Sequence, residues 1–280
     1  MGLTNERLNE LNDISRNLRR TVVEMIHTAG SGHPGGSLSC LEIVTALYLE
    51  KMKFDPHNPL DPDRDRFVLS KGHAAPALYA ILAYLGVIPR RELLTLRKLG
   101  SRLQGHPDMK SVPGVEMSAG PLGLGLSVSV GMALTARMDQ ASYHTYVLLG
   151  DGETQEGIIW EAAMTAHKYK LHNLTAILDH NGVQLDGCCQ EIMPLGAVEA
   201  KFTSFGWKTF TCDGHDIASI LTALEAADSY HQGPSIIIAK TVKGKGVSFM
   251  EGKNIWHGKK IEDEDYQLAV AEIGGISYAE

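Results

Sequence analysis

The sequence YVLLGDGETQEG, residues 146–157, decides the fold of this 280-residue chain. Its apolar start is typical of a buried strand, and a helical pattern follows the Gly-Asp-Gly. A second apolar run, Leu174–Leu178, ends in DHNG, which places Asn181 30 residues after Asp151. That spacing predicts one β-α-β unit, with Asp151 and Asn181 at the carboxyl ends of neighbouring parallel strands.

The same alternation of short apolar runs and helical patterns continues along the chain. Apolar residues at steps of three and four predict a first helix over 8–26, ending before Gly30. The predicted strands are 67–69, 146–149, 174–178, 207–210 and 235–239, and the further predicted helices are 38–52, 74–86, 122–138, 155–170 and 216–229. This alternation predicts an α/β fold: a doubly wound, mainly parallel sheet with helices on both faces.

Composition excludes some classes of function. The net charge of −7 argues against a nucleic-acid-binding protein, because such surfaces need clustered Lys and Arg. The four cysteines form no CxxC pair and no metal-ligand spacing, so we expect reduced thiols in a cytoplasmic protein. Residues 117–136 carry no charge and could span a bilayer by length, but their glycines and proline favour a buried loop and helix, so we expect no membrane association.

Asp151 and Asn181 together predict a metal site beside a phosphate group. Mg²⁺ prefers oxygen ligands and commonly completes its shell with substrate phosphates and water. The glycines around Asp151 let backbone N–H groups approach a phosphate, and a helix N-terminus favours an anion. A Gly-Asp-Gly alone is usually just a turn. The asparagine that ends the next strand makes the metal site the better interpretation.

Four of the twelve histidines lie in Gly- or Pro-containing loops that suit a ligand cleft: His33, His73, His106 and His257. A histidine donates to oxygen and exchanges protons near neutral pH, which suits a polyhydroxylated, phosphorylated sugar. We assign ordinary structural roles to the other eight.

Eight runs, in this order, resemble the N-terminal half of transketolase, which binds the diphosphate of thiamine diphosphate. They are SGHPGG (31–36), DRFVLSKGHA (65–74), GHPD (105–108), GPLGLGLSVSVGMA (120–133), GDGETQEG (150–157), DHNGVQLDG (179–187), KTVKGKG (240–246) and WHG (256–258). The resemblance covers essentially the whole chain and implies a single diphosphate-binding domain over residues 1–280.

The resemblance also implies a role for each site residue. The metal, Mg²⁺ or else Ca²⁺ or Mn²⁺, would be bound by Asp151, Asn181 and the carbonyl of Val183. The diphosphate would be contacted by Gly152, His73, His257 and Lys243. The aminopyrimidine would lie along Gly120, Pro121 and Leu122, and the thiazolium beside Leu185. The ketose hydroxyls would be held by His33, His106 and His257, and His73 completes the set of catalytic histidines. Glu156 resembles an acid near a subunit interface, although an exposed glutamate at a helix start would look the same.

The family's catalytic glutamate and phosphate-binding arginines belong to a second domain, for which this chain has no room. We therefore expect a split transketolase: a partner chain carries the pyrimidine-binding domain, and self-association of this chain completes a heterotetramer that acts on sugar phosphates. Other thiamine diphosphate enzymes, a deoxyxylulose-phosphate synthase or a 2-oxoacid dehydrogenase, share the Asp-Asn pair. A non-catalytic cofactor-binding subunit is a further alternative.

Three positions depart from the family pattern. Ser37 and Ser39 replace residues that are Pro and Gly in many members, and His180 precedes Asn181 where an acid is expected. These departures concern the packing of the His33 loop and the surroundings of the metal, not its ligands.

Overall fold

A five-stranded sheet forms the centre of the computed structural model, which describes residues 3–279. The strands are β1 (Arg66–Leu69), β2 (Thr145–Gly150), β3 (Leu174–His180), β4 (Lys208–Asp213) and β5 (Ser235–Lys240). They pair in the order β1-β2-β3-β5-β4, and every pair is parallel. The predicted parallel sheet is therefore confirmed, and each predicted strand overlaps an observed one.

Helices connect the strands and flank the sheet. They are α1 (Asn5–Ala29), α2 (Pro34–Leu38), α3 (Leu41–Ala46), α4 (Ala75–Tyr84), α5 (Leu124–Met138), α6 (Gly157–Lys168), α7 (Cys189–Ile192), α8 (Val198–Ser204), α9 (Ile217–Asp228) and α10 (Asp263–Ile273). The first helix ends at Gly30, whose φ of 64° is left-handed. Helices α7, α8 and α10 were not predicted.

The single helix predicted over 38–52 is wrong. The chain forms α2, then α3, and then a π-helical turn over Leu47–Lys51. The break falls at Ser39 and Cys40, where the Ser39 hydroxyl contacts the Gly36 carbonyl at 3.1 Å and donates to Asp179 at 2.6 Å. Such side-chain hydrogen bonds compete with continuous helix formation.

The helices cover both faces of the sheet, as predicted. Alternate strand residues point to opposite faces. Phe67 and Leu148 belong to the core beneath α1, α3, α4, α9 and α10. Val68 and Leu149 belong to a second core beneath α5, α6 and α8. This arrangement buries both faces of the sheet and leaves its carboxyl edge for a ligand.

The uncharged stretch 117–136 is a loop followed by most of α5, which packs against α6 and the sheet. Among the helices of residues 3–279, none has the length and apolar character needed to cross a membrane.

Candidate active site

A cavity of about 300 Å³ opens where the carboxyl ends of β2, β3 and β5 meet the loop after β1. Larger cavities lie elsewhere, but they hold none of the predicted site residues. Most of the predicted site residues line this one: His73, Leu122, Asp151, Gly152, Glu156, Asn181, Val183, Leu185, Lys243 and His257. The structure therefore brings together residues from six of the eight sequence runs.

Gly120 and Pro121 directly precede the cavity residue Leu122. A Cβ on Gly72 would lie 2.7 Å from the Ala119 side chain and 3.3 Å from the Gly120 nitrogen. This close approach holds the 119–122 loop against the turn that carries His73. Leu122 itself is 41% exposed, so the predicted pyrimidine side of the cavity is open.

Asp151 links the loops that follow β2 and β3. Its Oδ1 accepts from the Gly152 N–H at 2.7 Å, and its Oδ2 accepts from the Gly182 N–H. Burial, and then the nearby charge of Asp179, raise the pKa of this carboxyl. A cation beside Asp151 would relieve both effects, which fits the predicted metal.

Asn181 and Val183 complete the predicted set of metal ligands. Asn181 Oδ1 accepts from the Val183 N–H at 3.1 Å, and Asn181 Nδ2 donates to Asp179 at 3.2 Å. One carboxylate, one amide and one carbonyl are hard oxygen donors of the kind that Mg²⁺ takes, with phosphate oxygens as the remaining ligands. Residues 3–279 contain no cluster of three His, Cys, Asp or Glu side chains suited to a metal. A metal here would therefore depend on backbone, amide and ligand oxygens.

Lys243 supplies a buried positive charge. Its Nζ donates to the Val183 carbonyl and to His257 Nδ1, both at 3.0 Å. Burial, and then the charge of Lys71, lower the pKa of Lys243 to about 8. Within residues 3–279, Lys243 forms no ion pair with a carboxylate. A buried ammonium group of this kind favours an anion, so this lysine suits a diphosphate.

The four predicted histidines form one cluster. The His33 ring lies 5.5 Å from His73, 5.9 Å from His106 and 5.7 Å from His257, centroid to centroid. Burial is the main cause that lowers the pKa of all four, to about 4 for His33 and about 3 for His257. Neutral imidazoles offer one donor and one acceptor each, which suits hydroxyl groups. Within the described chain, the buried His33 Nδ1 has no hydrogen-bond partner.

Gly36 leaves the space that the His73 imidazole occupies in this cluster. A Cβ on Gly36 would lie 2.8 Å from His73 Nε2, so any side chain there would displace the imidazole. The last glycine of SGHPGG is thus explained by packing at the site.

A buried ion pair beneath the cavity was not predicted. Lys71 Nζ donates to Asp179 and to the Gly36 carbonyl, and both side chains are at most 1% exposed. Asp179 also accepts from Ser39, Thr241 and Asn181. Burial opposes both charges, but their pairing lowers the pKa of Asp179 and raises that of Lys71. Lys71 lies in SKGH and Asp179 in DHNG, two motifs already assigned to the site, and this proximity to site residues was the sequence signal that could have identified the pair.

Glu153 is a second residue that the sequence interpretation missed. Its carboxylate accepts from the Ser70 hydroxyl, from the Gly123 N–H at 2.7 Å and from the Gly150 N–H at 3.0 Å. It therefore ties the ends of β1 and β2 to the start of α5. Glu156, which was predicted, is exposed and lies at the N-cap of α6.

The departures from the family pattern take part in the site. The Ser37 hydroxyl donates to the His33 carbonyl at 2.8 Å, and Ser39 donates to Asp179 at 2.6 Å. Hydroxyl groups here stabilise the His33 loop. The His180 carbonyl accepts from the Thr241 N–H at 3.3 Å.

Comparison with known proteins shows the family. The model of the thiamine diphosphate binding domain of transketolase matches residues 11–277. The 6-deoxy-6-sulfo-D-fructose transketolase subunit SqwG of Clostridium sp. (strain MSTE9) is 48% identical over 256 residues, 91% of this chain and 93% of that protein. An apulose-4-phosphate transketolase subunit of Phocaeicola vulgatus is 46% identical over 255 residues, 91% and 90% of the two chains.

Longer relatives match over only part of their length. Human transketolase is 41% identical over 269 residues, which are 96% of this chain and 42% of the human protein. The crystal structure of Campylobacter jejuni transketolase superposes with a TM-score of 0.91 at 34% identity, covering 98% of this chain and 44% of that one. The chain belongs to the transketolase family, and it matches the N-terminal, thiamine diphosphate-binding part of that family.

Proposed function

We propose that this chain is the N-terminal subunit of a split transketolase, which transfers a two-carbon ketol unit from a ketose to an aldose. One observation carries the proposal: the chain spans 93% and 90% of two relatives that are named transketolase subunits, but 42% of a full-length transketolase. The word subunit in both names implies that each of these relatives works with a second chain. Here the partner would be a C-terminal subunit carrying the pyrimidine-binding domain.

The proposed resident groups are thiamine diphosphate and a divalent metal, Mg²⁺ or else Ca²⁺ or Mn²⁺. Asp151, Asn181 and the Val183 carbonyl would hold the metal, since they are oxygen donors beside one cavity. Gly152, His73, Lys243 and His257 would bind the diphosphate. Gly120, Pro121 and Leu122 would contact the aminopyrimidine, and Leu185 the thiazolium. Thiamine diphosphate, when bound there, would supply the nucleophilic carbon that addition to a ketose carbonyl requires.

The histidine cluster would bind and orient the sugar. His33, His106 and His257 are neutral near pH 7 because burial lowers the pKa of each. Each can donate to one hydroxyl or accept its proton, so the cluster suits proton transfer at the sugar oxygens. The buried Nδ1 of His33 has no hydrogen-bond partner within residues 3–279, which supports a ligand contact at this imidazole.

We further propose a heterotetramer of two such subunits and two partner chains, with sugar phosphates as substrates. Leu122 and Leu185 are 41% and 58% exposed at the mouth of the cavity, which supports a partner surface over the cofactor. Glu156, exposed beside this mouth, would face that interface. All four cysteines are free thiols, which supports a cytoplasmic location.

Ketol transfer by this chain alone and in a mixture with the partner chain tests the proposal. We expect no transfer by either chain separately and transfer by the mixture, dependent on thiamine diphosphate and a divalent metal. Full activity of this chain alone would refute the split enzyme. Decarboxylation of a 2-oxoacid without any need for an aldose acceptor would identify a different enzyme of the same fold.

A further inference from the structure

Arg97 has an unusual backbone conformation close to the histidine cluster. It follows the 3₁₀-helix Arg90–Thr95, and its φ of 59° lies in the left-handed region. The Arg97 N–H donates to the Leu103 carbonyl at 2.9 Å, which closes the loop 97–103. Left-handed backbone is uncommon for a long side chain, and such residues concentrate at functional sites.

The Arg97 guanidinium packs against the backbone beside His106. A Cβ on Gly105 would lie 2.9 Å from Arg97 Cζ and 3.1 Å from Nε. The glycine in the Gly105-His106 pair therefore makes room for the guanidinium. This contact places a permanent positive charge next to a residue of the cluster.

The charge of Arg97 also acts on two of the histidines. Burial is the larger cause that lowers the pKa of His33, to about 4, and that lowers the pKa of His106. The positive charge of Arg97 is the second cause for both histidines. Geometry agrees, because the guanidinium packs on Gly105, next to His106, and the His106 ring lies 5.9 Å from the His33 ring.

Arg97 is not neutralised by any group in the described part of the chain. Its side chain is exposed, and within residues 3–279 it forms no ion pair and no side-chain hydrogen bond. Arg102 in the same loop differs, because it is paired with Glu92 at 2.7 Å. Arg97 thus carries a charge without a protein partner, and the neighbouring histidine cluster contains the buried His33 Nδ1, which has no hydrogen-bond partner within the described residues.

We propose that Arg97 binds the acidic group of the sugar substrate, a phosphate or a sulfonate, while His33 and His106 bind its hydroxyls. The proposal rests on the proposed transketolase function. Phosphate and sulfonate are both tetrahedral oxyanions, and the planar guanidinium can donate two parallel hydrogen bonds to either. Selectivity for an acidic sugar is then set in part by this chain and not by the partner alone.

Steady-state kinetics of the assembled complex test this role. The acceptors are a phosphorylated aldose and its dephosphorylated analogue, with one donor throughout. Arg97→Gln is expected to raise the KM for the phosphorylated aldose at least about tenfold, without changing its kcat or the kinetics of the neutral aldose. Arg97→Lys keeps the positive charge but loses the two parallel N–H donors of the guanidinium. Its KM for the phosphorylated aldose is expected to lie between the values of the wild type and Arg97→Gln.

Arg91→Gln is the matched control, because Arg91 is an exposed arginine on the 3₁₀-helix and the variant loses the same charge. It is expected to leave both acceptors unaffected. An equal loss of kcat/KM for the charged and the neutral acceptor in Arg97→Gln would overturn the proposal. The same variant is then compared with the wild type on two donor ketoses, one bearing a phosphate and one bearing a sulfonate. The acidic group that Arg97 binds is the one on the donor whose KM rises in Arg97→Gln. If the KM rises for neither donor, the proposal is overturned.

A binding measurement separates this proposal from the proposed function. Titration of the complex with inorganic phosphate is followed by the ¹⁵N signals of the His33 and His106 imidazoles. The wild type is expected to show saturable shifts that Arg97→Gln lacks; shifts that persist in the variant would overturn the role of Arg97. Because no turnover is needed, this result stands even if the complex transfers no ketol unit, an outcome that would refute the proposed function alone.

Discussion

The Asp151 carboxylate is held by two backbone N–H groups, from Gly152 and Gly182, before any cation binds. Its oxygens are therefore fixed in place at the end of β2. Such preorganisation reduces the conformational freedom that a metal would have to restrict. The proposed metal role can thus be tested by a change that keeps the shape of the side chain.

We expect Asp151→Asn to weaken metal-dependent binding of thiamine diphosphate in the assembled complex by at least about 100-fold, because the change removes the only negatively charged group among the proposed protein ligands of the metal. Isothermal titration with and without Mg²⁺ measures the effect. Asp13→Asn is the control, since Asp13 forms only an exposed pair with Arg16 at 2.9 Å. Equal cofactor affinity in wild type and Asp151→Asn would exclude Asp151 as a ligand.

His144 provides a pH test of stability away from the site. It stacks on Tyr146 at 4.5 Å between ring centroids, and its Nε2 lies 2.9 Å from the Thr175 hydroxyl. Burial is the main cause that lowers the pKa of His144 from 6.5 to about 4. Between these values the unfolded chain binds a proton that the folded chain does not, so stability is present above pH 6.5 and lost as the pH falls towards 4.

The loss from His144 is on the order of 2 kcal/mol at pH 5 relative to pH 8. We expect His144→Gln to remove this part of the dependence, so that its unfolding free energy falls less steeply between pH 6.5 and pH 5. Urea unfolding at several pH values measures the slope. Identical slopes for the two proteins would show that His144 titrates normally in the folded state.

The loop 241–246, which carries Lys243, is held in place by residues from α1, α3 and the turn before α9. His215 Nε2 accepts from the Val242 N–H at 2.8 Å, and Arg19 Nε donates to the Lys245 carbonyl at 2.7 Å. His215 Nδ1 therefore carries the hydrogen that is donated to Glu42 at 3.1 Å. Burial alone would raise the pKa of Glu42, but Arg19 and His215 lower it to about 2. The network fixes the backbone on both sides of Lys243.

We expect His215→Ala to raise the Kd for thiamine diphosphate about tenfold, because the Val242 N–H loses its acceptor and the Lys243 loop loosens. The kcat at saturating cofactor should stay within about twofold, since His215 contacts no reacting group. His57→Ala, at an exposed histidine, is the control. A fall in kcat with unchanged cofactor affinity would contradict this positioning role.

Several apolar side chains near the cavity are exposed, which does not stabilise an isolated chain. Leu185, Ile192 and Met193 are 58%, 44% and 57% exposed, and the Met193 carbonyl accepts from Gln155, which lines the cavity. Apolar clusters at the edge of a binding site are typical of protein interfaces. This surface supports the proposed partner chain.

We expect Met193→Lys to weaken association with the partner chain at least about tenfold, because a charge would be buried at the interface. The stability of the isolated chain should not change, since the side chain is already exposed. Sedimentation velocity of the mixed subunits measures association. Leu60→Lys, 66% exposed and located before β1, is the control. Equal association of all three proteins would place the partner elsewhere.

The strands, most of the helices and the place of several predicted site residues at the carboxyl edge could be derived from the sequence because their signals are local. Apolar runs mark β1 to β5, and each strand ends in residues whose spacing fixes their place at the carboxyl edge. Asp151 and Asn181 directly follow β2 and β3, and His73 lies in the turn after β1, so parallel topology brings these three together without further information. His33, His106 and His257 do not follow strands, and only the folded loops bring them into one cluster with His73.

The tertiary structure was needed for contacts between distant residues. Lys71 and Asp179 are 108 positions apart, and their pairing beneath the cavity depends on how β1 and β3 are placed relative to α2. The break in the helix predicted over 38–52 has a related cause, since Ser39 reaches Asp179 across 140 positions. The close packing of Arg97 on Gly105 also depends on the folded loop. Apolar periodicity records which face of an element is buried, but a polar side chain inside the protein is positioned by partners from other elements.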